Sequence, residues 1–149
     1  MPFFLILFFS LLTVAGAAYA ESPGVTVWGV QGLNTVPNAR MDEAGIMRAG
    51  VANLDPYAHA YLGFQIADPL YISLRQTAET SNIRDDPDRL YPGLDLKLRL
   101  LKESEYAPAL AIGLQSATGH ARTAGEYLAL SKRVGSFDIT AGLGWGRYG

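Results

Sequence analysis

The chain has 149 residues, no cysteine and a formal net charge of −2, with 49% hydrophobic residues, 16 glycines and 8 tyrosines. The missing cysteines exclude disulfide staples, thiol catalysis, cysteine-ligated metals and a lipid-modified N-terminal cysteine. A nucleic-acid partner would need a basic surface, which this charge balance does not supply.

Residues 1–20 read MPFFLILFFSLLTVAGAAYA, apolar from Phe3 to Leu12 apart from Ser10. Ala18-Tyr19-Ala20 fits the small-x-small cleavage rule, so a signal peptide is expected over 1–20 and a mature start at Glu21. No Lys or Arg precedes the apolar run, which is atypical. After Ala20 no apolar stretch approaches the ~20 residues of a membrane helix. A membrane role for the mature chain therefore requires strands or association.

Residues 21–45 carry loop chemistry in Pro23, Gly24, Gly29, Gly32, Asn34, Pro37 and Asn38, with one short strand expected at Val25 to Trp28. Residues 46–149 read as an antiparallel sheet. The first strand is expected at Ile46 to Ala52 and the second at Tyr57 to Ile66, with His59, Tyr61, Gly63 and Gln65 on its polar side. The third spans Leu70 to Thr77, where Leu70, Ile72 and Leu74 oppose Tyr71, Ser73 and Arg75. A polar loop follows at Glu79 to Asp88. The fourth strand, Leu94 to Leu101, contains Leu-Asp-Leu-Lys-Leu-Arg-Leu: four leucines on one face, and Asp95, Lys97 and Arg99 on the other. The fifth spans Pro108 to Ser116, the sixth Glu126 to Arg133 and the seventh Phe137 to Gly146, with Gly135-Ser136 as a hairpin turn.

Short connections at Asp68-Pro69, Lys102 to Glu105 and Gly135-Ser136 alternate with longer ones at Glu79 to Asp88 and Thr118 to Ala124. Outer-membrane barrels place short turns on one rim and long loops on the other. The expected fold is all-β: an antiparallel up-and-down meander, forming an outer-membrane β-barrel or a partial barrel of about seven to eight strands. The spacing also admits a soluble sandwich.

Chemistry-bearing residues are few. His59 lies on a polar strand face and His120 in a loop, and a two-histidine metal site would need a carboxylate that the sequence does not place. Asp85, Asp86 and Asp88 lack the glycine and glutamate of a calcium loop. Ser116 and His120 stand close in sequence without a nucleophile elbow. Gly142-Leu143-Gly144-Trp145-Gly146 lacks the spacing and helix of a dinucleotide loop. No catalytic residue, cofactor or metal is assigned. The sharper candidates are Arg75, Asp95, Lys97 and Arg99, joined by Tyr61, Tyr71 and Tyr127, as a lumen-facing set for a polar polymer. The plainer reading is that these charges pair with one another and keep a lumen wet.

Gly29 to Met41, GVQGLNTVPNARM, with Asp42-Glu43-Ala44-Gly45, resembles the start of mature YjbH-like exopolysaccharide-biosynthesis proteins. Ser131 to Gly149, SKRVGSFDITAGLGWGRYG, resembles a second run of that family. The resemblance implies a non-enzymatic outer-membrane barrel linked to making or exporting polysaccharide. Its partners would be outer-membrane lipid, polysaccharide and other export proteins. Family members are several-fold longer, so an N-terminal fragment of a larger barrel is expected. A generic porin-like or structural outer-membrane protein, and a secreted soluble sandwich that binds a ligand, are the alternatives.

Leu98→Arg places a charge on the proposed lipid face and is expected to cost ~2–4 kcal/mol near a bilayer midplane, read as loss of membrane-assembled full-length protein. The alternation alone predicts that Lys97→Ala costs little.

Overall fold

Residues whose large aliphatic side chains recur every second position form a single curled sheet, a half-barrel, in the computed structural model, which describes residues 23–80 and 90–149. The expected signal peptide and most of the expected loop at Glu79 to Asp88 lie outside the described residues. Seven strands pair antiparallel in sequence order: β3 (Met47–Leu54), β4 (Tyr57–Ala67), β5 (Leu70–Glu79), β6 (Leu90–Leu101), β7 (Ala109–Gly119), β8 (Gly125–Val134) and β9 (Phe137–Gly146). Ahead of them, β1 (Gly32–Leu33) and β2 (Val36–Pro37) make a separate minimal hairpin. The expected all-β meander and partial barrel are what the chain adopts.

Local chemistry sets the turns. Val134 pairs with Phe137 across Gly135-Ser136, and Gly135 has φ +59°. Glycine takes that angle without a Cβ penalty, and a glycine first in a two-residue loop suits the twist of a hairpin. The strand expected at Val25 to Trp28 does not form; only Val25 bridges to Gln31. Instead Thr26 folds the backbone over, its carbonyl accepting from the Gly29 N–H and its hydroxyl accepting from the Trp28 N–H. A hydroxyl that bonds its own backbone two residues on favours such a turn over a ladder.

The connections at 68–69, 102–108 and 135–136 share one rim of the sheet, and those at 55–56, 80–89 and 120–124 share the other. The first rim carries short turns at 68–69 and 135–136, but its 102–108 connection is longer than 120–124 on the second rim, and 55–56 on the second is as short as either turn, so length does not divide the rims cleanly.

The two faces are inverted relative to a sheet in water. Leu74, Leu98, Ile112, Leu114, Leu143 and Trp145 are exposed on the convex face. Tyr71, Ser73, Arg75, Thr77, Asp95 and Lys97 are buried on the concave one. Apolar packing inside is small, a patch of Ala39, Ala109, Ala111, Tyr127 and Ala129 with Tyr148 against it. The concave face is covered by residues 23–42. Trp28, Val30, Gln31, Asn38, Ala39 and Asp42 of this segment are all buried.

Inside, tyrosine rings lie flat across glycines of the neighbouring strand. Gly50 pairs with Tyr61 and Gly113 with Tyr127, while Gly63 stands diagonal to Tyr71. A Cβ on any of these glycines would run into the ring. The glycine makes room for the ring, and the ring covers a strand that lacks a side chain of its own.

Gly113→Ala is expected to cost about 1–3 kcal/mol through overpacking. Adding Tyr127→Ala should recover part of that loss, because the two positions touch. Denaturant midpoints of the four forms in detergent check the coupling.

Candidate functional site

The buried face forms three linked clusters, each joining strand residues to the N-terminal segment or a rim. The first centres on Arg75 of β5. Its Nε and Nη2 donate to the two carboxylate oxygens of Asp95 on β6, at 3.0 and 3.1 Å. Nη1 donates to Thr77 Oγ1 at 2.6 Å and Nη2 to Ser116 Oγ at 2.9 Å. A planar guanidinium suits this forked arrangement. Ser116 sits in a bulge where the β6–β7 register shifts, at φ +49°. That angle is uncommon for a residue with a Cβ, and it aims the Ser116 N–H at Asp95 Oδ1, 2.7 Å away. The buried carboxylate thus accepts three hydrogen bonds. Thr77 Oγ1 also lies 2.9 Å from His59 Nδ1. Thr77 accepts from Arg75 and keeps its own hydrogen, so it can donate to Nδ1 of the imidazole tautomer that carries its proton on Nε2.

The second cluster centres on Lys97, which is fully buried. Its ammonium donates to the Arg40 carbonyl at 2.6 Å, the Gln31 carbonyl at 3.2 Å and Gln31 Oε1 at 3.3 Å. Every acceptor belongs to the N-terminal segment. Gln31 Nε2 in turn donates to Asp42 Oδ2 at 2.9 Å, and Arg48 donates to both oxygens of Asp42. Burial pushes the Asp42 carboxyl upward, but the hydrogen bonds from Arg48 and Gln31 outweigh it and hold its pKa below the usual carboxylate value. The Tyr71 hydroxyl donates to the Gly29 carbonyl, and the Ala39 N–H donates to Ser131 Oγ.

The third lies on the short-turn rim. Arg40 donates to both oxygens of Asp138 and also pairs with Glu103. The hydrogen bond to Asp138 is the main reason its pKa is raised. The same Arg40 partner holds Glu103 low.

The residues read from sequence fall unevenly. Arg75, Asp95, Lys97, Tyr71 and Tyr127 share the concave face but are buried under the segment. Tyr61 is partly exposed, with its ring against Gly50. Arg99 stands apart at the rim, 2.6 Å from Asp68. The ion pair with Arg99 is the main reason the Asp68 carboxyl is held low. Ser116 and His120 do not meet: Ser116 Oγ bonds Arg75 and Thr123, while His120 Nδ1 accepts from the Arg122 N–H. Sequence reasoning missed Gln31, Arg40, Asp42 and Trp28 as partners of these charges. The available signal was the need of any buried Lys or Arg for acceptors, which a bare sheet face cannot meet.

Around Trp28 the site is less complete. Its ring lies 4.1 Å from that of His59 and 3.1 Å from the Arg147 guanidinium carbon, between centroids in the first case and from the Trp28 centroid in the second. Trp28 Nε1, His59 Nε2 and Arg147 Nε are buried without hydrogen-bond partners among the described residues. No carboxylate pairs with Arg147 among those residues. Burial lowers its pKa to about 10, the direction expected of a cation taken out of water.

A family model described as "Exopolysaccharide biosynthesis protein YbjH" matches residues 24–149. The chain is also 33% identical over 151 aligned residues to an Escherichia coli (strain K12) protein named "Uncharacterized lipoprotein YjbH". That alignment takes in 93% of this chain and 22% of the E. coli protein, so the chain spans about a fifth of its relative's length. No solved structure matches.

Lys97→Ala, inexpensive by alternation alone, removes the donor that Arg40's carbonyl and Gln31 Oε1 share, and leaves the Gln31 carbonyl only the Asn38 N–H. It is expected to release the segment and expose residues 23–42 to protease, at a cost on the order of 1–3 kcal/mol. Because Asp42 has a lower pKa folded than unfolded, its contribution to docking is complete above about pH 4 and fades as pH falls through the lowered value. Hydrogen exchange of the segment's amides against pH checks the sign: protection that rose on acidification would refute it.

Proposed function

The chain belongs to the YjbH family of exopolysaccharide-biosynthesis proteins, and from that premise we propose that it forms part of an outer-membrane β-barrel that passes or anchors polysaccharide and performs no catalysis. The observation that carries this reading is the inverted sheet. Its aliphatic face is bare and its charges face inward, which is the sidedness of a strand set surrounded by lipid. In water, such a face would be an unusually large exposed apolar surface. A sandwich would cover it with a second sheet, and the described residues form only one sheet of this size.

The E. coli relative is named a lipoprotein. The 149 residues here include no cysteine to carry a thioether-linked lipid. Contact with lipid is therefore proposed through the convex face. The polysaccharide, and the other export proteins that would hand it on, would meet the concave side and its rims.

Density-gradient fractionation of cells together with deletion of the gene tests the reading. The full-length protein is expected in the outer-membrane fraction, and its loss is expected to lower surface exopolysaccharide. Unchanged polysaccharide with reduced small-solute permeability would make it a general porin. Recovery in the soluble periplasmic extract would sink the membrane assignment.

A further inference from the structure

We propose that Arg147, His59 and Trp28 form a binding site for the carboxylate of an acidic saccharide. The inference rests on the proposed polysaccharide role and narrows it to an anionic polymer. Three nitrogens gather about one indole ring: the Trp28 Nε1 and Arg147 Nε donors and His59 Nε2, all buried and without a hydrogen-bond partner among the described residues. Trp28 and His59 are 3% and 2% exposed, so bulk water does not serve these groups freely. A buried donor without a partner carries a desolvation cost, and an oxyanion that accepts from several donors removes it.

The charge balance points the same way. Arg75 also faces Trp28, 5.4 Å from its ring, but Asp95 neutralises it through two hydrogen bonds. Arg147 has no such partner among the described residues. It is held against the indole at 3.1 Å and is only partly buried, which leaves one side of the cluster open. The Thr77 hydrogen bond holds the ring of His59, and Nε2 is a donor in the tautomer in which Thr77 donates to Nδ1.

The concave location favours a saccharide carboxylate over a lipid phosphate. Acyl chains would lie against the convex face, on the other side of the sheet from Trp28. The indole ring already has His59 and Arg147 as close neighbours, so recognition would come through hydrogen bonds and charge rather than ring stacking.

Calorimetric titration of the detergent-solubilised full-length protein with oligogalacturonate tests the site, with neutral maltooligosaccharide and inorganic phosphate as separate arms. In a Trp145→Phe background, fluorescence reports binding near Trp28 once the signal is corrected for any other tryptophan. Oligogalacturonate is expected to bind, neutral sugar is not, and Arg147→Gln is expected to weaken binding roughly tenfold or more, the loss of one charge-assisted hydrogen bond. Arg122→Gln, at the exposed rim, should leave it unchanged. His59→Phe, which keeps a ring but removes the donor, gives a second reading if Arg147→Gln assembles poorly. Equal affinity for inorganic phosphate, binding insensitive to both variants, or no binding at all overturns the proposal. In cells, normal exopolysaccharide with Arg147→Gln despite its loss on deletion would sink this site and leave the proposed function standing.

Discussion

The ammonium of Lys97 is the constraint on which the interior depends. A buried cation without acceptors is far costlier than any single packing defect. The sheet itself offers it none: its oxygens come from Gln31 and Arg40. The N-terminal segment is therefore a required part of the fold, although it contributes only four residues to strands. The dependence runs both ways. Two of the segment's own backbone groups, the Gly29 carbonyl and the Ala39 N–H, are met by Tyr71 and Ser131 of the sheet. Irregular backbone persists inside a protein when side chains supply what a strand partner would have supplied.

This arrangement changes what holds the molecule together. In a water-soluble sheet, burial of the aliphatic face dominates stability. Here the aliphatic face is outside, and the inner apolar patch is made mostly of alanine. Cohesion within the chain comes from the strand ladders and from polar clusters whose members satisfy one another. Buried networks of this kind specify one geometry when complete. The Arg75 cluster is complete around Asp95, whereas the Trp28 corner is not.

The strands were legible in the sequence because a two-residue period is local information. Phe137 to Gly146 matches its expected span, and the facing of Asp95 and Lys97 follows from alternation alone. The N-terminal segment was illegible for the converse reason. Many of its partners are distant in sequence, with Tyr71 42 residues from Gly29, and Lys97 and Asp138 57 and 98 residues from Arg40, and no period in residues 23–42 announces them. The resemblance drew attention to Gly32, Pro37, Ala39 and Arg40 without assigning them a role. Ser116 was hidden differently. Its positive φ arises from a register shift, and a serine in an otherwise alternating run gives no sign of one.

The separations that hid the segment also order its assembly. Ala39 reaches Ser131 across 92 residues and Lys97 reaches Gln31 across 66. Adjacent strands pair through short connections and pay little for loop closure, whereas contacts of this span must wait until the sheet has formed. The first described part of the chain to leave the ribosome is thus the last to find its place. Until it does, the charges of the concave face stay hydrated, and the half-barrel remains an open trough.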